Sequence, residues 1–226
     1  MAFTWTPQQI RWYENASDYG SFHRELALIL ASFFEPDDVV CDWGCGLGRL
    51  SLELAPSVSR ILCVDHEPLV LQSLGRQAER RGINNLHVVE TDADSCGLVC
   101  DVGLMSFFGT PYELMRRLMG QSRRLLIRIM NAGRTGGETA SHIEDCLRSE
   151  GRVLEKLEKE LEFGQALTSL DDARQYVSFH EPAIAKRGMD PYLQANLRET
   201  GSKEFPYCLD KKKKLVLFII DTSPLT

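Results

Sequence analysis

The run Asp42-Trp43-Gly44-Cys45-Gly46-Leu47-Gly48 places three glycines at alternate positions directly after an apolar triplet, Val39-Val40-Cys41. Glycine lets the backbone turn tightly there and lets a ligand approach with no Cβ in the way. Asp65 ends the next apolar run, Ile61-Leu62-Cys63-Val64, 21 residues after Gly44. An acid at that distance can accept hydrogen bonds from both hydroxyls of a ribose, so an adenosine-type nucleoside is the expected ligand. Capping of a helix that starts at Pro68 is the structural alternative for Asp65. The dinucleotide fingerprint needs its third glycine one residue later, where this chain has Arg49. Asp42 would repel a pyrophosphate yet could hold an amino group. The pattern therefore favours a ligand with an ammonium group over one with phosphates, and disfavours a nicotinamide-dependent dehydrogenase.

These residues need a scaffold, and the order of elements supplies one. Thr6-Pro7-Gln8-Gln9 reads as a helix start with a capping box, and a second helix spans roughly Ser21 to Phe34. Strands follow at Val39–Cys41, Arg60–Val64, Leu86–Val89, Val102–Phe107 and Leu125–Met130. Helical patterns lie between them, at Leu50–Leu54, at Pro68–Arg81 with Gly82 as terminator, and from a capped start at Thr110-Pro111-Tyr112-Glu113 to Gly120. Strands alternating with helices imply βαβ units, hence an α/β fold with a parallel sheet covered on both faces. Asn131 to Gly137 reads as a loop. Helices are expected near Glu138–Ser149, Ser169–Phe179 and Pro182–Glu199, with an extended segment near Val153–Phe163. Phe205–Leu209 and Leu215–Asp221 read as two closing strands joined by a lysine turn. The chain is expected to form one domain: an N-terminal helical cap (1–36), a cofactor-binding core (37–137), a substrate-selecting insertion (138–203) and a closing β-hairpin (204–226).

Composition narrows the function classes. The 226 residues are 43% hydrophobic with a formal net charge of −6, and the N-terminus lacks the pattern of a signal peptide. No apolar run nears the ~20 residues that span a bilayer, so no membrane partner and a cytoplasmic location are expected. Residues 1–150 hold 14 Arg, no Lys and 20 acids; residues 151–226 balance 12 basic against 12 acidic residues. An acidic body argues against a nucleic-acid partner, which needs a basic stripe. The only dense basic run, Lys211 to Lys214, reads as a solvated hairpin tip. Seven scattered cysteines are read as reduced thiols. The C-x3-C pairs Cys41/Cys45 and Cys96/Cys100 lack zinc-knuckle spacing, so no metal is expected.

On the strength of Asp42-Trp43-Gly44-Cys45-Gly46-Leu47-Gly48, which matches D/E-x-G-x-G-x-G in full, the chain resembles the class I S-adenosylmethionine-dependent methyltransferases. The resemblance covers roughly residues 37–130. It implies a Rossmann-like, doubly wound, mostly parallel seven-stranded sheet whose last strand, Leu215–Asp221, runs antiparallel. It also implies S-adenosyl-L-methionine as cofactor, held by Asp42, Gly44, Cys45, Gly46, Gly48, the ribose-gripping Asp65, and His66 as a wall. Thr91-Asp92-Ala93-Asp94 is similar to the segment that contacts adenine, with Asp92 and Ala93 as its contacts. Ser106, ending the fourth strand, would border the methyl group. Enzymes of this family that methylate exocyclic amines carry N/D/S-P-P-Y/F there; Ser106-Phe107-Phe108 has neither proline, so nucleobase methylation is not assigned.

The methylated group is less legible. Tyr13, Tyr19 and His23 lie in an aromatic-rich N-terminal segment that could close over the cofactor about Gly20. Tyr19 and His23 are the catalytic candidates, His23 as general base; packing of a helix on the sheet is the alternative. Phe107 and Phe108 are equally suited to wall the site or to pack a helix. His87, His142 and His180 are expected on the surface. A small-molecule acceptor is the leading reading, for a monomer or homodimer. An RNA or protein methyltransferase would instead present Arg116, Arg117, Arg123 and Arg124 as one exposed patch. A non-catalytic S-adenosylmethionine-binding protein is the reading from another class.

Overall fold

The computed structural model describes residues 4–133 and 138–223, so the last part of the expected loop, 134–137, lies outside the described residues. In chain order the elements are α1 (Pro7–Tyr19), α2 (Phe22–Leu30), β1 (Val39–Trp43), α3 (Arg49–Leu54), β2 (Arg60–Asp65), α4 (Pro68–Arg80), β3 (Leu86–Glu90), β4 (Cys100–Ser106), α5 (Tyr112–Gln121) and β5 (Ser122–Asn131). Then come α6 (Ala140–Ser149), β6 (Leu154–Glu162), β7 (Gln165–Leu167), α7 (Leu170–His180), α8 (Pro182–Asn196), β8 (Leu197–Glu199), β9 (Tyr207–Leu209) and β10 (Lys212–Asp221). The chain divides into two compact units, Met1–Phe22 with Leu161–Lys213 and His23–Glu160 with Lys214–Thr226.

The larger unit is built on a seven-stranded sheet in the order β3-β2-β1-β4-β5-β10-β6. The pairs β1–β2, β1–β4, β2–β3 and β4–β5 are parallel, and β10 runs antiparallel to β5. Its central strands are apolar on both faces because helices cover both: Val40, Cys41 and Trp43 of β1 and Leu215 to Ile220 of β10 are all buried. Gly82, at φ +66°, closes α4 as expected, its N–H reaching the Glu79 carbonyl at 3.0 Å. The helix after β4 begins differently from expectation. No side chain caps α5, and the Tyr112 N–H donates to Glu138 Oε1 at 3.1 Å instead.

The smaller unit joins α1, α7 and α8 to a three-stranded antiparallel sheet, β7-β9-β8. The expected capping box forms at Thr6 and Gln9. Trp12, on α1, is buried with Leu167, Ala173, Val177 and Leu209. Its indole N–H donates at 2.8 Å to buried Asp172, which also accepts from Arg11 at 2.9 Å. The end of the expected Pro182–Glu199 helix is instead strand β8, after a kink marked by Gly188 and Pro191.

The expected closing hairpin does not form. β9 pairs with β7 and β8, whereas β10 enters the large sheet. Lys212 to Lys214 open a strand rather than a turn, and glutamates of β6 meet two of them, Lys212 with Glu162 at 3.2 Å and Lys214 with Glu160 at 3.8 Å. The strand that completes the seven is therefore β6. Its charged, largely exposed sequence is that of an edge strand.

Candidate functional site

The glycine turn is held by the strand beside it. The N–H groups of Gly44 and Cys45 both donate to the Val64 carbonyl, at 2.8 and 3.0 Å, and the Gly48 N–H closes back on Cys45 at 2.9 Å. Gly44, Gly46 and Gly48 all lie in the left-handed region, at φ +67°, +54° and +56°. Two of them also lack room for a side chain. A Cβ on Gly48 would meet Leu74 at 2.5 Å, and one on Gly44 would enter the Phe108 ring. Phe108 reaches that place because Phe107 turns the chain after β4, itself at φ +56°, a conformation a bulky residue rarely adopts.

Two carboxylates flank the turn. Asp65 Oδ2 accepts from the Gly46 N–H at 2.8 Å, and Oδ1 accepts from the Glu67 N–H at 3.0 Å. Asp65 thus ties the middle of the turn to Glu67, the residue before α4, while no side chain caps that helix. A carboxylate offers about four lone-pair positions, which leaves acceptor capacity for two hydroxyls. Asp42 is only 2% exposed. Its Oδ2 accepts from the Ser51 hydroxyl at 2.6 Å, while Oδ1 has no hydrogen-bond partner among the described residues. Burial pushes the Asp42 carboxyl up to about 7; the Ser51 bond opposes this and the nearby Asp65 charge adds to it.

The other expected contacts gather at the same strand ends. His66 Nδ1 lies 3.6 Å from Asp65 Oδ1 and 4.0 Å from Asp92 Oδ1. The Thr91 N–H donates to the Asp65 carbonyl, the Asp92 side chain is exposed, and Ala93 is buried behind it. Cys45 is half-buried in the turn, its thiol held well above the ordinary range by burial and by Cys63, so it is no nucleophile. Ser106 closes β4. A left-handed glycine turn, a bare buried carboxylate oxygen and a carboxylate at the next strand end fit a ligand that presents an ammonium group and a ribose.

The catalytic candidates fall in different units. Tyr19 ends α1 in the smaller one, its ring 6.2 Å from that of Phe205; in the same unit Arg198 grips Asp210 through two bonds of 2.8 and 2.6 Å. Tyr13 packs against Trp5 and Phe163, both at 5.6 Å. His23 is buried on α2 in the larger unit. Gly20 separates the two helices in extended backbone, φ −98°. The three histidines expected on the surface are exposed there: His87, His142, which pairs with Glu138 at 3.2 Å, and His180, which packs on Tyr176 at 4.3 Å.

Sequence reasoning missed Ser51, although a polar residue between Leu50 and Leu52 marked it. It also missed Arg128, a fully buried guanidinium that reaches the Thr110 carbonyl at 3.5 Å. The four arginines that would form a macromolecule-binding patch are each matched by a carboxylate: Arg116 by Glu150, Arg117 by Asp94, Arg123 by Asp101 and Arg124 by Asp38. Among the described residues no group of three or more metal-ligating side chains occurs, and no helix is long and apolar enough to cross a membrane.

Comparison with known proteins agrees with this geometry. Residues 40–126 match a family described as a methyltransferase domain. The probable cobalt-precorrin-6B C(15)-methyltransferase (decarboxylating) of Methanothermobacter thermautotrophicus is 27% identical over 189 residues, 78% of this chain and 93% of that protein. Among solved structures, precorrin 8w decarboxylase from Methanobacterium thermoautotrophicum superposes with a TM-score of 0.54 at 21% identity, covering 88% of each chain. Magnesium protoporphyrin IX methyltransferase from Synechocystis PCC 6803, solved with bound S-adenosylmethionine, gives 0.56 at 15% identity, covering 97% of this chain and 86% of that one. With strand order, glycine turn and matched domain in agreement, the chain carries a methyltransferase domain at residues 40–126 and is an S-adenosylmethionine-dependent methyltransferase, similar in fold to the class I enzymes.

Proposed function

We propose that this enzyme transfers a methyl group to a small organic acceptor, in the cytoplasm. The observation that carries the acceptor class is the 27% identity to a protein named for a precorrin derivative, spanning nearly all of that protein. The acidic net charge and the matched arginines support it, because they leave the larger unit without a basic stripe for nucleic acid.

Each residue has a definite task in this reading. Asp65 accepts the ribose hydroxyls while it holds Gly46 in place. His66 and Ala93 flank the adenine, and Asp92 takes its amino group. The bare Oδ1 of Asp42 accepts from the ammonium of the methionine part. Gly44, Cys45, Gly46 and Gly48 offer backbone without side-chain obstruction, and Ser106 borders the reacting methyl. Bound S-adenosylmethionine supplies a methyl group already carried on a positively charged sulfur. The protein's remaining work is alignment and, where the acceptor must lose a proton, a base. His23 is assigned that base, and Tyr19 a contact to the acceptor.

Two measurements test this. Calorimetric titration should show micromolar binding of S-adenosylmethionine and none of NAD; the reverse would overturn the cofactor assignment. Methyl-labelled cofactor incubated with enzyme and a cell extract should place label in the fraction passing a 3-kDa filter. Label confined to retained RNA or protein would overturn the acceptor class. Within the site, Asp65→Ala should weaken cofactor binding by about 1.5–3 kcal/mol, the scale of hydrogen bonds to a charged group. Unchanged affinity in that variant would remove the ribose role.

A further inference from the structure

Asp42 lies inside the large sheet, level with Cys63 of β2 and Leu104 of β4. Its side chain turns toward α3, where the Ser51 hydroxyl donates to Oδ2 at 2.6 Å. Ser51 is fully buried, between Leu50 and Leu52, which are buried too. α3 leaves the glycine turn at Gly48, with the Leu52 N–H on the Gly48 carbonyl at 2.9 Å. The hydroxyl that meets Asp42 is therefore carried by the same backbone that forms the turn. All of these residues belong to the larger unit.

A buried serine inside a helix commonly returns its proton to a carbonyl one turn back. This one gives it to a carboxylate on the neighbouring strand. Alanine is the better helix former and suits an apolar helix at least as well, so packing alone does not call for a hydroxyl here. The bond has two consequences. It occupies Oδ2 and leaves Oδ1 as the oxygen without a hydrogen-bond partner. It also favours the charged carboxylate, against the burial that disfavours it. Around Asp42, Asp65 of β2 acts by its charge and disfavours ionisation. The thiols of Cys41 and Cys45 are both held above the ordinary range, Cys41 by neighbouring Cys100 and burial, Cys45 by burial and Cys63. On α3, buried Arg49 lies two residues before Ser51.

We propose that Ser51 is a positioning residue of the cofactor site: its hydroxyl fixes the Asp42 carboxylate so that Oδ1 receives the ammonium group of S-adenosylmethionine. This rests on the assignment of Asp42 to that ammonium group in the reading above.

The probes are S-adenosylhomocysteine, which keeps the ammonium group and withstands alkaline buffers, and 5′-methylthioadenosine, which keeps the nucleoside and lacks that group. Both are titrated calorimetrically into the full chain between pH 6 and pH 9. In the wild type S-adenosylhomocysteine should bind more tightly as pH rises, with its half-rise at about 7, while 5′-methylthioadenosine stays level. Ser51→Ala should move that half-rise up by about one pH unit, the scale of a hydrogen bond to a charged group, and cost about fivefold in S-adenosylhomocysteine affinity at pH 7. Its affinity for 5′-methylthioadenosine should be unchanged, which also shows that the variant is folded. Ser51→Thr keeps the hydroxyl and should keep the wild-type half-rise. An unmoved half-rise in Ser51→Ala, an equal loss of both probes, or a threonine variant that behaves as the alanine one would each overturn the role of Ser51. A wild type whose affinity for S-adenosylhomocysteine does not rise with pH would overturn the Asp42 assignment itself, and the role of Ser51 with it.

Discussion

Gly44→Val is expected to abolish measurable S-adenosylmethionine binding while the protein keeps its sheet. Valine at φ +67° carries a left-handed penalty of about 1–2 kcal/mol, and its Cβ would enter the Phe108 ring, with Cγ of that ring at 2.5 Å and Cε2 at 2.8 Å. Either Phe108 or the turn must move. Moving the turn breaks the paired bonds from Gly44 and Cys45 to Val64, and with them the surface on which the cofactor lies. Native stability is typically about 5–15 kcal/mol, so a local cost of a few kcal/mol leaves the fold standing. Calorimetry should give no heat for the variant, while far-ultraviolet dichroism matches wild type. A graded pair separates the two causes: Gly44→Ala with Phe108→Ala removes the clash and keeps the strained φ, so it should recover part of the affinity. Wild-type affinity in Gly44→Val would remove the turn from the site.

This turn was legible in the sequence because its demand falls on the backbone. A left-handed φ at alternate positions after a buried strand selects glycine, and the choice shows as Gly44, Gly46 and Gly48 in one short run. Asp65 was legible for a related reason, since strand spacing places its carboxylate beside that run. Phe108 was not. It covers Gly44 from 64 residues away, through a bend at Phe107 that no local propensity announces. Ser51 was visible only as a polar residue out of pattern, and its partner Asp42 lies nine positions back.

The end of the chain shows the opposite error. Leu215 to Ile220 is apolar enough to be recognised as a buried strand, and its antiparallel pairing with β5 followed from the family resemblance. Its partner was misread. Phe205 to Leu209 is apolar and adjacent, but Pro206 cannot donate to a ladder, and β9 is only three residues long. The segment near Val153–Phe163 was expected to be extended, and β6 forms there, but nothing in it announces that its glutamates pair with Lys212 and Lys214. Charge complementarity between strands about fifty residues apart does not appear in any local window.

Asp42 gives the second large effect, a pH dependence of opposite sign to that of a salt-bridged acid. Its unfolded carboxyl titrates near 3.8 and its folded one at about 7, because burial disfavours the charged form. Between those values the folded chain holds a proton that the unfolded chain has released, so stability falls as pH rises. Three units at about 1.4 kcal/mol each make the loss roughly 4 kcal/mol between pH 4 and pH 8. Asp42→Asn keeps the shape and removes the charge. The difference between wild type and variant isolates Asp42 from every other titrating group: the variant should gain on the wild type as pH rises through 7. Urea titrations at pH 5 and pH 8 measure it, and parallel slopes in the two proteins would sink the assignment. Ligand binding should run the other way. Above pH 7 the ionised carboxylate can accept from an ammonium group, so S-adenosylmethionine should bind the wild type more tightly at pH 8 than at pH 6, and Asp42→Asn should lose that gain. 5′-Methylthioadenosine has the nucleoside but no ammonium, and its affinity should respond to neither change. A burial cost that weakens the unliganded fold would thus become affinity for the one ligand that brings the opposite charge.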